Sequence, residues 1–357
     1  GLMLFYLLYP PINVVQYITF RTAAAGLTAF LISLLMGPWM IRTLREFQIG
    51  QVVRDELSTT HQLKAGTPTM GGLLILAATL VPTLLWSDLT NAYLWVAILS
   101  TVAFGLVGFL DDYLKIGRQN HRGLPPLYKL LGQCVVGAGV GLALLWMSDR
   151  GLYSTELFFP FFKQLTPDLG WLYLPFAVIL LAASSNAVNL TDGLDGLAIS
   201  VFTVAAAAFT ALAYVTGHAI FADYLLLVHV PPAAELTIFC GSLVGAGLGF
   251  LWYNSYPAQL FMGDVGSLAL GGALGTMALL IKQELLLPIV GAVFAIELLS
   301  VVVQVGAFKL TGRRVFRMAP IHHHCELIGW SEPKVISRFL IAAVIFACFS
   351  LASLKLR

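Results

Sequence analysis

The sequence predicts an all-α polytopic membrane protein with about ten transmembrane helices. Hydrophobic residues make up 59% of the 357 residues and charged residues only 11%, whereas an average soluble domain is roughly 25% charged. Ten apolar stretches each approach the length of about 17–25 residues that a spanning helix needs. No stretch carries a sustained polar face, which excludes a large soluble α-domain. We therefore treat residues 1–357 as a single integral membrane domain.

The predicted spans follow one another along the chain. They cover residues 18–41, 70–87, 92–110, 127–147, 171–190, 197–216, 236–253, 262–281, 285–307 and 336–354. No basic region precedes the first stretch, so we expect it to stay as a span and not to be a cleavable signal peptide. The scattered cysteines predict small apolar side chains, not a disulfide or zinc framework; they are Cys134, Cys240, Cys325 and Cys348.

Lysine and arginine divide unequally between the two sets of connections. Fourteen lie in or beside the connections that follow odd-numbered spans, and six lie on the other side. Basic residues concentrate in cytoplasmic loops. The larger set is therefore expected in the cytoplasm, with both termini on the outer face. The formal net charge of +2 indicates no particular partner.

Polar residues interrupt the apolar pattern between spans five and six. Asn186, Asn189, Asp192 and Asp195 are each three residues apart, so a continued helix would stack them along one drifting face. Glycines such as Gly193 are expected to break that helix and to let a ligand approach the backbone. A polar surface turn is the plainer interpretation, but carboxylates at a membrane edge are costly and mark functional sites.

Two adjacent carboxylates, Asp111 and Asp112, end span three. Neighbouring helical residues point about 100° apart, so one carboxylate could face a cleft while the other binds a metal or a partner cation. The plainer alternative pairs both with Lys115 and Arg118. Lys129 opens span four and could reach the same mouth.

Further polar motifs lie in other connections on the same side. Lys64 and Thr69 could contact phosphate, although a basic loop is also an ordinary topology signal. Asp264, beside Gly263, could cap a helix through Ser267 and do no more. Phe261 could stack on a planar base or serve as a membrane-edge anchor.

Span nine and the loop after it add a carboxylate, an amide and three imidazoles. Buried Glu297 is most simply explained by a hydrogen bond between helices, whereas Gln304 could reach the cytoplasmic mouth. Consecutive His322, His323 and His324 rarely converge on one ion, and the other available ligands are carboxylates, which favour Mg²⁺. The imidazoles are therefore expected to contact phosphate or sugar oxygens.

Every acidic or histidine motif falls on the side that the lysines and arginines assign to the cytoplasm. Carboxylates, glycines, lysine and histidine without a Ser–His or Cys–His pair indicate Mg²⁺-dependent phosphoryl chemistry. A Walker-type loop is absent from the sequence, which argues against an ATP-driven transporter. A site at the bilayer edge suits an enzyme that joins a water-soluble phosphorylated donor to a lipid acceptor.

The ordered motifs resemble those of the phospho-N-acetylmuramoyl-pentapeptide transferases, within the bacterial polyprenyl-phosphate N-acetylhexosamine-1-phosphate transferase superfamily. The resemblance spans essentially the whole chain, and the histidine block favours the muramoyl-pentapeptide branch over the branch that uses UDP-N-acetylglucosamine. It rests on Gly66 to Gly72, Asp111-Asp112, Asn186 to Gly196, Phe261 to Ser267 and Ala319 to His324.

The resemblance implies ten spans, a homodimer, and a cytoplasmic active site in the bacterial inner membrane. The implied reaction moves phospho-MurNAc-pentapeptide from its UDP carrier to undecaprenyl phosphate, giving lipid I and UMP with Mg²⁺. The partners would be these two substrates and the lipid bilayer, without nucleic acid.

The resemblance also implies roles for individual residues. Asp264 would be the leading metal ligand, Asp111 and Asp112 would serve the lipid-phosphate side, and His323 would take part in catalysis. Uridine would be held by Gly193, Leu194, Asp195, Asn254, Phe261 and Gln304. The remaining polar surface would be formed by Lys64, Thr69, Lys129, Asn186, Asn189, Asp192, Gly263, His322 and His324.

Two other classes stay open from the sequence. A lipid flippase or transporter would share the span count and a polar cytoplasmic cleft, but it would need polar residues across the membrane, where the sequence offers mainly Glu297. A superfamily relative that uses a different UDP-sugar is the nearer alternative.

Overall fold

A computed structural model describes residues 13–46, 66–117, 123–162 and 165–356. Regular structure within these ranges is almost entirely helical, and an antiparallel bridge joins Glu156 to Asp168. The described part of the chain contains nine helices long and apolar enough to cross a membrane, and a shorter apolar helix, Gly72–Trp86. The prediction of an all-helical membrane protein is confirmed at this level.

The α-helices are numbered here in chain order. They are α1 Ile18–Glu46, α2 Gly72–Trp86, α3 Ala92–Gly117, α4 Pro126–Asp149, α5 Tyr173–Thr191, α6 Leu197–Gly217, α7 Ala219–Leu225, α8 Ala233–Asn254, α9 Gly263–Leu280, α10 Leu287–Val290, α11 Ala292–Thr311, α12 Ile321–Leu327 and α13 Glu332–Ser353. Short 3₁₀ turns cover Asn13–Gln16, Gly170–Leu172 and Leu354–Leu356.

Each predicted span corresponds to a helix, with two differences. Helix α2 has 15 residues and is shorter than the predicted 70–87 span. The predicted span 285–307 is two helices, α10 and α11, because Gly291 leaves the helical conformation with ψ of 33°. Glycine makes such a break at little steric cost, and a pattern of apolar residues does not reveal it.

Helix α9 is the most enclosed element of the bundle. Its residues from Val265 to Leu280 are all buried, and it packs against α3 and α5, while α8 packs against α1 and α6. Glycine and alanine are frequent in α9, and small residues let membrane helices approach closely. The outward faces of other helices expose large apolar side chains such as Leu35 and Leu310, as expected of surfaces in contact with lipid.

The two ends of the bundle carry different polar groups. We call the end where α3 and α5 finish and α9 begins the site end. At the opposite end, Arg21 forms a two-point ion pair with Glu235 at 2.6 and 2.8 Å, and buried Lys282 lies 2.6 Å from Glu284. The first pair joins α1 to α8, and the second lies within the turn after α9.

Candidate functional site

Three carboxylates meet at the site end. Asp111 and Asp112, near the end of α3, and Asp264, in the first turn of α9, each offer an oxygen, and these oxygens lie within 4.8 Å of one another. Asp111 and Asp112 are each 3% exposed, and the Asp264 side chain is 15% exposed. We call these three residues the acidic cluster. The aspartates at the end of α3 and the start of α9, which the sequence puts on one side of the membrane, thus lie together.

Close packing of α3 on α9 brings the acidic cluster together. A Cβ atom added to Gly108 would lie 2.1 Å from the main-chain carbonyl oxygen of Asp264, so only glycine allows this approach. Gly108 precedes Asp111 by less than one helical turn. The two aspartates of α3 therefore face the first turn of α9 next to a close approach of the two helices.

Main-chain donors hold two of the carboxylates. Asp111 Oδ1 accepts a 2.7 Å hydrogen bond from Leu124 N–H. Asp112 Oδ2 accepts one of 3.1 Å from Val265 N–H, in the first turn of α9, where the helix dipole favours negative charge. Each aspartate thus keeps a second oxygen directed to the centre of the acidic cluster.

Two lysines neutralise part of this charge. Lys115 Nζ lies 2.5 Å from Asp111 Oδ2, 3.3 Å from Asp112 Oδ1 and 2.7 Å from Asp264 Oδ2. Lys129 Nζ lies 3.0 Å from Asp264 Oδ2. From the sequence alone, Lys115 is expected only as a structural partner of the two aspartates. Its spacing from Asp111 and Asp112, at i+4 and i+3, is the signal that placed it on their face of the helix.

Asn189, on the last turn of α5, connects to the acidic cluster. Its Nδ2 donates to Asp264 Oδ1 at 2.6 Å and to Ser267 Oγ at 2.8 Å, and its Oδ1 accepts from Lys129 Nζ at 3.0 Å. Asn186, one turn earlier, instead donates to Gln133 Oε1 at 2.6 Å. Asn186 and Asn189, which the spacing of residues 186–195 predicts on one stacked polar face, therefore contact different parts of the protein.

The connection between α5 and α6 forms a wall beside the acidic cluster. Asp195 Oδ2 accepts from Ala258 N–H at 3.0 Å, and Asp195 N–H donates to Glu332 Oε1 at 2.9 Å. Asn254 Oδ1 accepts from Gly196 N–H at 3.1 Å, and its Nδ2 donates to Leu260 O at 2.8 Å. Asp195 and Asn254 thus fix the wall to the 255–262 loop.

Asp192 and Gly193 lie at the accessible edge of this wall. Burial, together with the nearby carboxylates of Asp264 and Asp112, raises the pKa of Asp192 to about 8. Gly193 is exposed, whereas Leu194 is buried. The wall therefore presents a main-chain surface at Gly193, flanked by a carboxyl group that holds its proton near neutral pH.

His322 forms a buried pair with Glu297 behind this wall. His322 Nδ1 and Glu297 Oε1 are 3.1 Å apart, and both side chains are 0% exposed. A Cβ added to Gly193 would lie 2.4 Å from His322 Nε2, so that nitrogen faces Gly193. Within the described residues, Nε2 has no hydrogen-bond partner. The hydrogen bond between helices expected for Glu297 is confirmed, and its partner is a histidine of the predicted site.

The other two histidines and Gln304 are engaged locally. His323 Nδ1 lies 2.8 Å from Glu326 Oε2, and His324 Nδ1 accepts from Arg317 N–H at 3.2 Å. Gln304 Oε1 accepts from the main-chain N–H groups of Val315 and Phe316. Gln304 thus stabilises the turn after α11, and none of these contacts reaches the acidic cluster.

The loop before α2 packs on the loop before α9. Phe261 N–H donates to Pro68 O at 2.8 Å, and Gly71 N–H donates to Phe261 O at the same distance. Gly263 packs against the side chains of Thr69 and Asp112. Thr69, Phe261 and Gly263 therefore border the acidic cluster, whereas Lys64 lies outside the described residues.

The donor set suits a hard cation. Mg²⁺ prefers carboxylate oxygens and keeps several waters, and the acidic cluster offers three carboxylates together with the amide of Asn189. The two lysines beside them can neutralise an anion such as a phosphate. The arrangement can therefore bring phosphate groups to a cation at the edge of an apolar bundle.

Comparison with known proteins places the chain among transferases. A family described as glycosyl transferase family 4 matches residues 94–282, and the phospho-N-acetylmuramoyl-pentapeptide-transferase signature 1 matches residues 64–76. A phospho-N-acetylmuramoyl-pentapeptide-transferase from Koribacter versatilis is 53% identical, over 99% of this chain and all of the relative. One from Acidobacterium capsulatum is 55% identical with the same coverage.

Proposed function

The chain belongs to the phospho-N-acetylmuramoyl-pentapeptide-transferase family, and from this premise we propose that it forms lipid I. The reaction transfers phospho-MurNAc-pentapeptide from UDP-MurNAc-pentapeptide to undecaprenyl phosphate and releases UMP. One observation supports this above others: three carboxylates and two lysines meet at one end of an apolar helix bundle. A water-soluble anion and a lipid phosphate can both reach such a place.

The enzyme would lie in the bacterial cytoplasmic membrane, with the site end facing the cytoplasm. The unequal distribution of lysine and arginine supports this orientation, because the basic residues described at the site end include Lys115 in the last turn of α3, Lys129 in the first turns of α4, and Arg317 in the loop after α11. Counting α2 as a span gives ten spans and puts both termini on the periplasmic face. We further expect a homodimer, as the family resemblance implies.

Mg²⁺ is the proposed cofactor, and the residues present fit it. Asp264 would be its leading ligand, and Asp111 or Asp112 would supply the other protein ligand. The bound ion would neutralise phosphate oxygens as charge develops on them. Lys115 and Lys129 would contribute further positive charge, and Asn189 would orient the carboxylate of Asp264.

Direct transfer needs little help from a base. A phosphate monoester has a second pKa of about 6 and is mostly a dianion at pH 7. An oxygen of the lipid phosphate would attack the β-phosphorus of the UDP-sugar. A new P–O bond forms while the bond from the β-phosphorus to the bridging oxygen breaks, and that oxygen leaves on UMP. Asp111 would orient the nucleophile or accept its residual proton, and the cations would hold the two anions in line.

A covalent route through a carboxylate is the competing mechanism. Asp264 or Asp111 would attack the same phosphorus and release UMP before the lipid acceptor arrives. Labelled UMP would then exchange into the donor without undecaprenyl phosphate. Direct transfer predicts exchange only when the acceptor or product is present, so acceptor-independent exchange would contradict it.

The nucleotide-sugar would lie against the wall between α5 and α6. Phe261 would stack on uracil, and the exposed main chain at Gly193 would approach the base. Leu194, Asp195 and Asn254 would shape this surface, and the hydrogen bonds of Asp195 and Asn254 to the 255–262 loop support such a role. His322 is fully buried with its free Nε2 directed to Gly193, so it would shape this main-chain surface from behind.

One assay tests the proposed function against its alternatives. Purified protein, undecaprenyl phosphate and Mg²⁺ are incubated with a panel of UDP-sugars, and UMP release and lipid product are measured. We expect release with UDP-MurNAc-pentapeptide. Release only with UDP-N-acetylglucosamine would favour a superfamily relative, and no release with any donor would favour a transporter.

A further inference from the structure

The ammonium group of Lys115 lies at the centre of the acidic cluster. It is 2.5 Å from Asp111 Oδ2, 2.7 Å from Asp264 Oδ2 and 3.3 Å from Asp112 Oδ1. A divalent cation that contacts the same carboxylates must lie between oxygens that are within 4.8 Å of one another. Mg²⁺–oxygen distances are about 2.0–2.1 Å. The ammonium and the metal therefore need the same volume.

We propose that Lys115 is an exchangeable counter-ion, which keeps the acidic cluster assembled before a divalent cation binds and leaves when it binds. The inference rests on the proposed metal-dependent function for the identity of the cation. Three carboxylates in a poorly hydrated location repel one another strongly. A resident ammonium removes much of that repulsion without a metal, so the cluster can be preorganised in the metal-free protein.

The position of Lys115 allows this exchange. It occupies the last turn of α3, its side chain is 36% exposed, and its unbranched stem ends in a compact, rotatable ammonium. Lys129 differs, because its side chain is 16% exposed and its ammonium contacts only Asp264 among the three carboxylates. An additional bond to Asn189 Oδ1 holds Lys129 in place.

The exchange has a consequence for the substrates. Once displaced, the Lys115 ammonium remains within the length of its stem from the cluster, and its charge is no longer paired with the three carboxylates. It is then available to a phosphate group next to the metal. Metal binding would thus convert Lys115 from a partner of the protein's carboxylates into a partner for the incoming anion.

Mn²⁺ binding to the full-length protein without substrate tests this proposal. Free Mn²⁺ is measured by electron paramagnetic resonance for wild type, Lys115→Met, Lys129→Met and Lys309→Met. Lys115→Met should bind Mn²⁺ about tenfold more tightly, the gain expected if the ammonium occupies the cluster about nine-tenths of the time. Exposed Lys309 on α11 controls for loss of a distant charge and should leave Mn²⁺ affinity unchanged.

Lys129→Met separates displacement from a general field effect. This variant removes a positive charge next to Asp264, as Lys115→Met does, but it frees only one contact in the acidic cluster. Its Mn²⁺ affinity should therefore increase by less than about threefold. Equal gains in Lys115→Met and Lys129→Met would overturn the proposal, because a field effect alone would explain them. Unchanged or weaker Mn²⁺ binding by Lys115→Met would also overturn it.

A measurement on wild-type protein does not depend on the folding of a variant. An amine-acylating reagent is applied with and without Mn²⁺, and labelling of each lysine is quantified by mass spectrometry. Labelling of Lys115 should rise several-fold with Mn²⁺, because a displaced amine is no longer enclosed by the three carboxylates and is open to the reagent. Unchanged or reduced labelling would contradict displacement. Neither measurement uses substrate, so failure of the proposed transfer reaction would be seen separately, in the UMP assay.

Discussion

The side-chain amide of Asn189 donates a 2.6 Å hydrogen bond to Oδ1 of Asp264. This bond joins the end of α5 to the first turn of α9, the two elements that carry the wall and the acidic cluster. The same amide group donates to Ser267 Oγ and accepts from Lys129. Asn189 therefore sets the orientation of Asp264 relative to its neighbouring cation.

Asn189→Ala is expected to lower the rate of UMP release at saturating substrates by about 10–100-fold, the usual effect of removing a partner that orients a metal ligand. Asn186→Ala is the matched comparison, because its amide bonds to Gln133 instead. It should cause a smaller loss than Asn189→Ala. Equal losses would favour the stacked polar face that the residue spacing predicts over the arrangement in the structure.

Glu297→Gln should reduce turnover by about tenfold or more, because it removes the charge that orients His322 through Nδ1 while preserving the size of the side chain. Its melting temperature in detergent should stay close to that of wild type. Glu297→Ala should also lower stability, since an unpaired buried polar group costs about 1–3 kcal/mol. Turnover and melting temperature are measured for both variants. Wild-type turnover in Glu297→Gln would refute a positioning role.

Stability should depend on pH through Asp192. Its pKa is raised from 3.8 to about 8 by burial and by the nearby carboxylates. Between these values the folded protein retains a proton that the unfolded chain releases, so the free energy of unfolding contributed by this group falls as pH rises. The melting temperature of the metal-free wild-type protein should fall between pH 6 and pH 8. The melting temperature of Asp192→Asn should fall less over the same range. An identical dependence of melting temperature on pH in the two proteins would contradict the raised pKa.

Glu284→Ala should destabilise the protein by about 3–5 kcal/mol without affecting the turnover of the folded fraction. It leaves the buried ammonium of Lys282 without its 2.6 Å partner, and an uncompensated buried charge is costly. The double variant Lys282→Met/Glu284→Leu should recover much of that loss. Chemical denaturation and UMP release measure the two effects. A double variant no more stable than Glu284→Ala would argue against the unpaired charge as the cause.

The sequence was sufficient to predict which motifs share one end of the bundle. Lysine and arginine set the topology, and the topology brought Asp111, Asp112 and Asp264 to the same side before any contact was known. Apolar length located the nine helices of the described residues that are long enough to cross a membrane, because the bilayer imposes that length. It did not reveal the break at Gly291, since a single glycine barely changes the apolar content of a span.

Side-chain partners were harder to predict, for geometric reasons. Three residues of helix rotate by about 300° and rise about 4.5 Å, so Asn186 and Asn189 diverge by roughly 60° and nearly one turn. That difference sends one to Gln133 and the other to Asp264. The spacing of Lys115 permitted an ion pair with the aspartates of α3, but only the packing at Gly108 adds Asp264 to it.

The central claim is that the acidic cluster is where the metal-dependent transfer takes place. The Asp264→Asn variant tests this claim most directly. UMP release is measured over a range of Mg²⁺ concentrations, with Asp149→Asn at the opposite end of the bundle as a control of the same chemistry. Asp264→Asn should lose about a thousandfold or more in rate, as for other electrostatic groups at a reacting centre, together with its response to Mg²⁺. Asp149→Asn should behave as wild type. Retained activity with an unchanged Mg²⁺ response in Asp264→Asn would contradict the assignment.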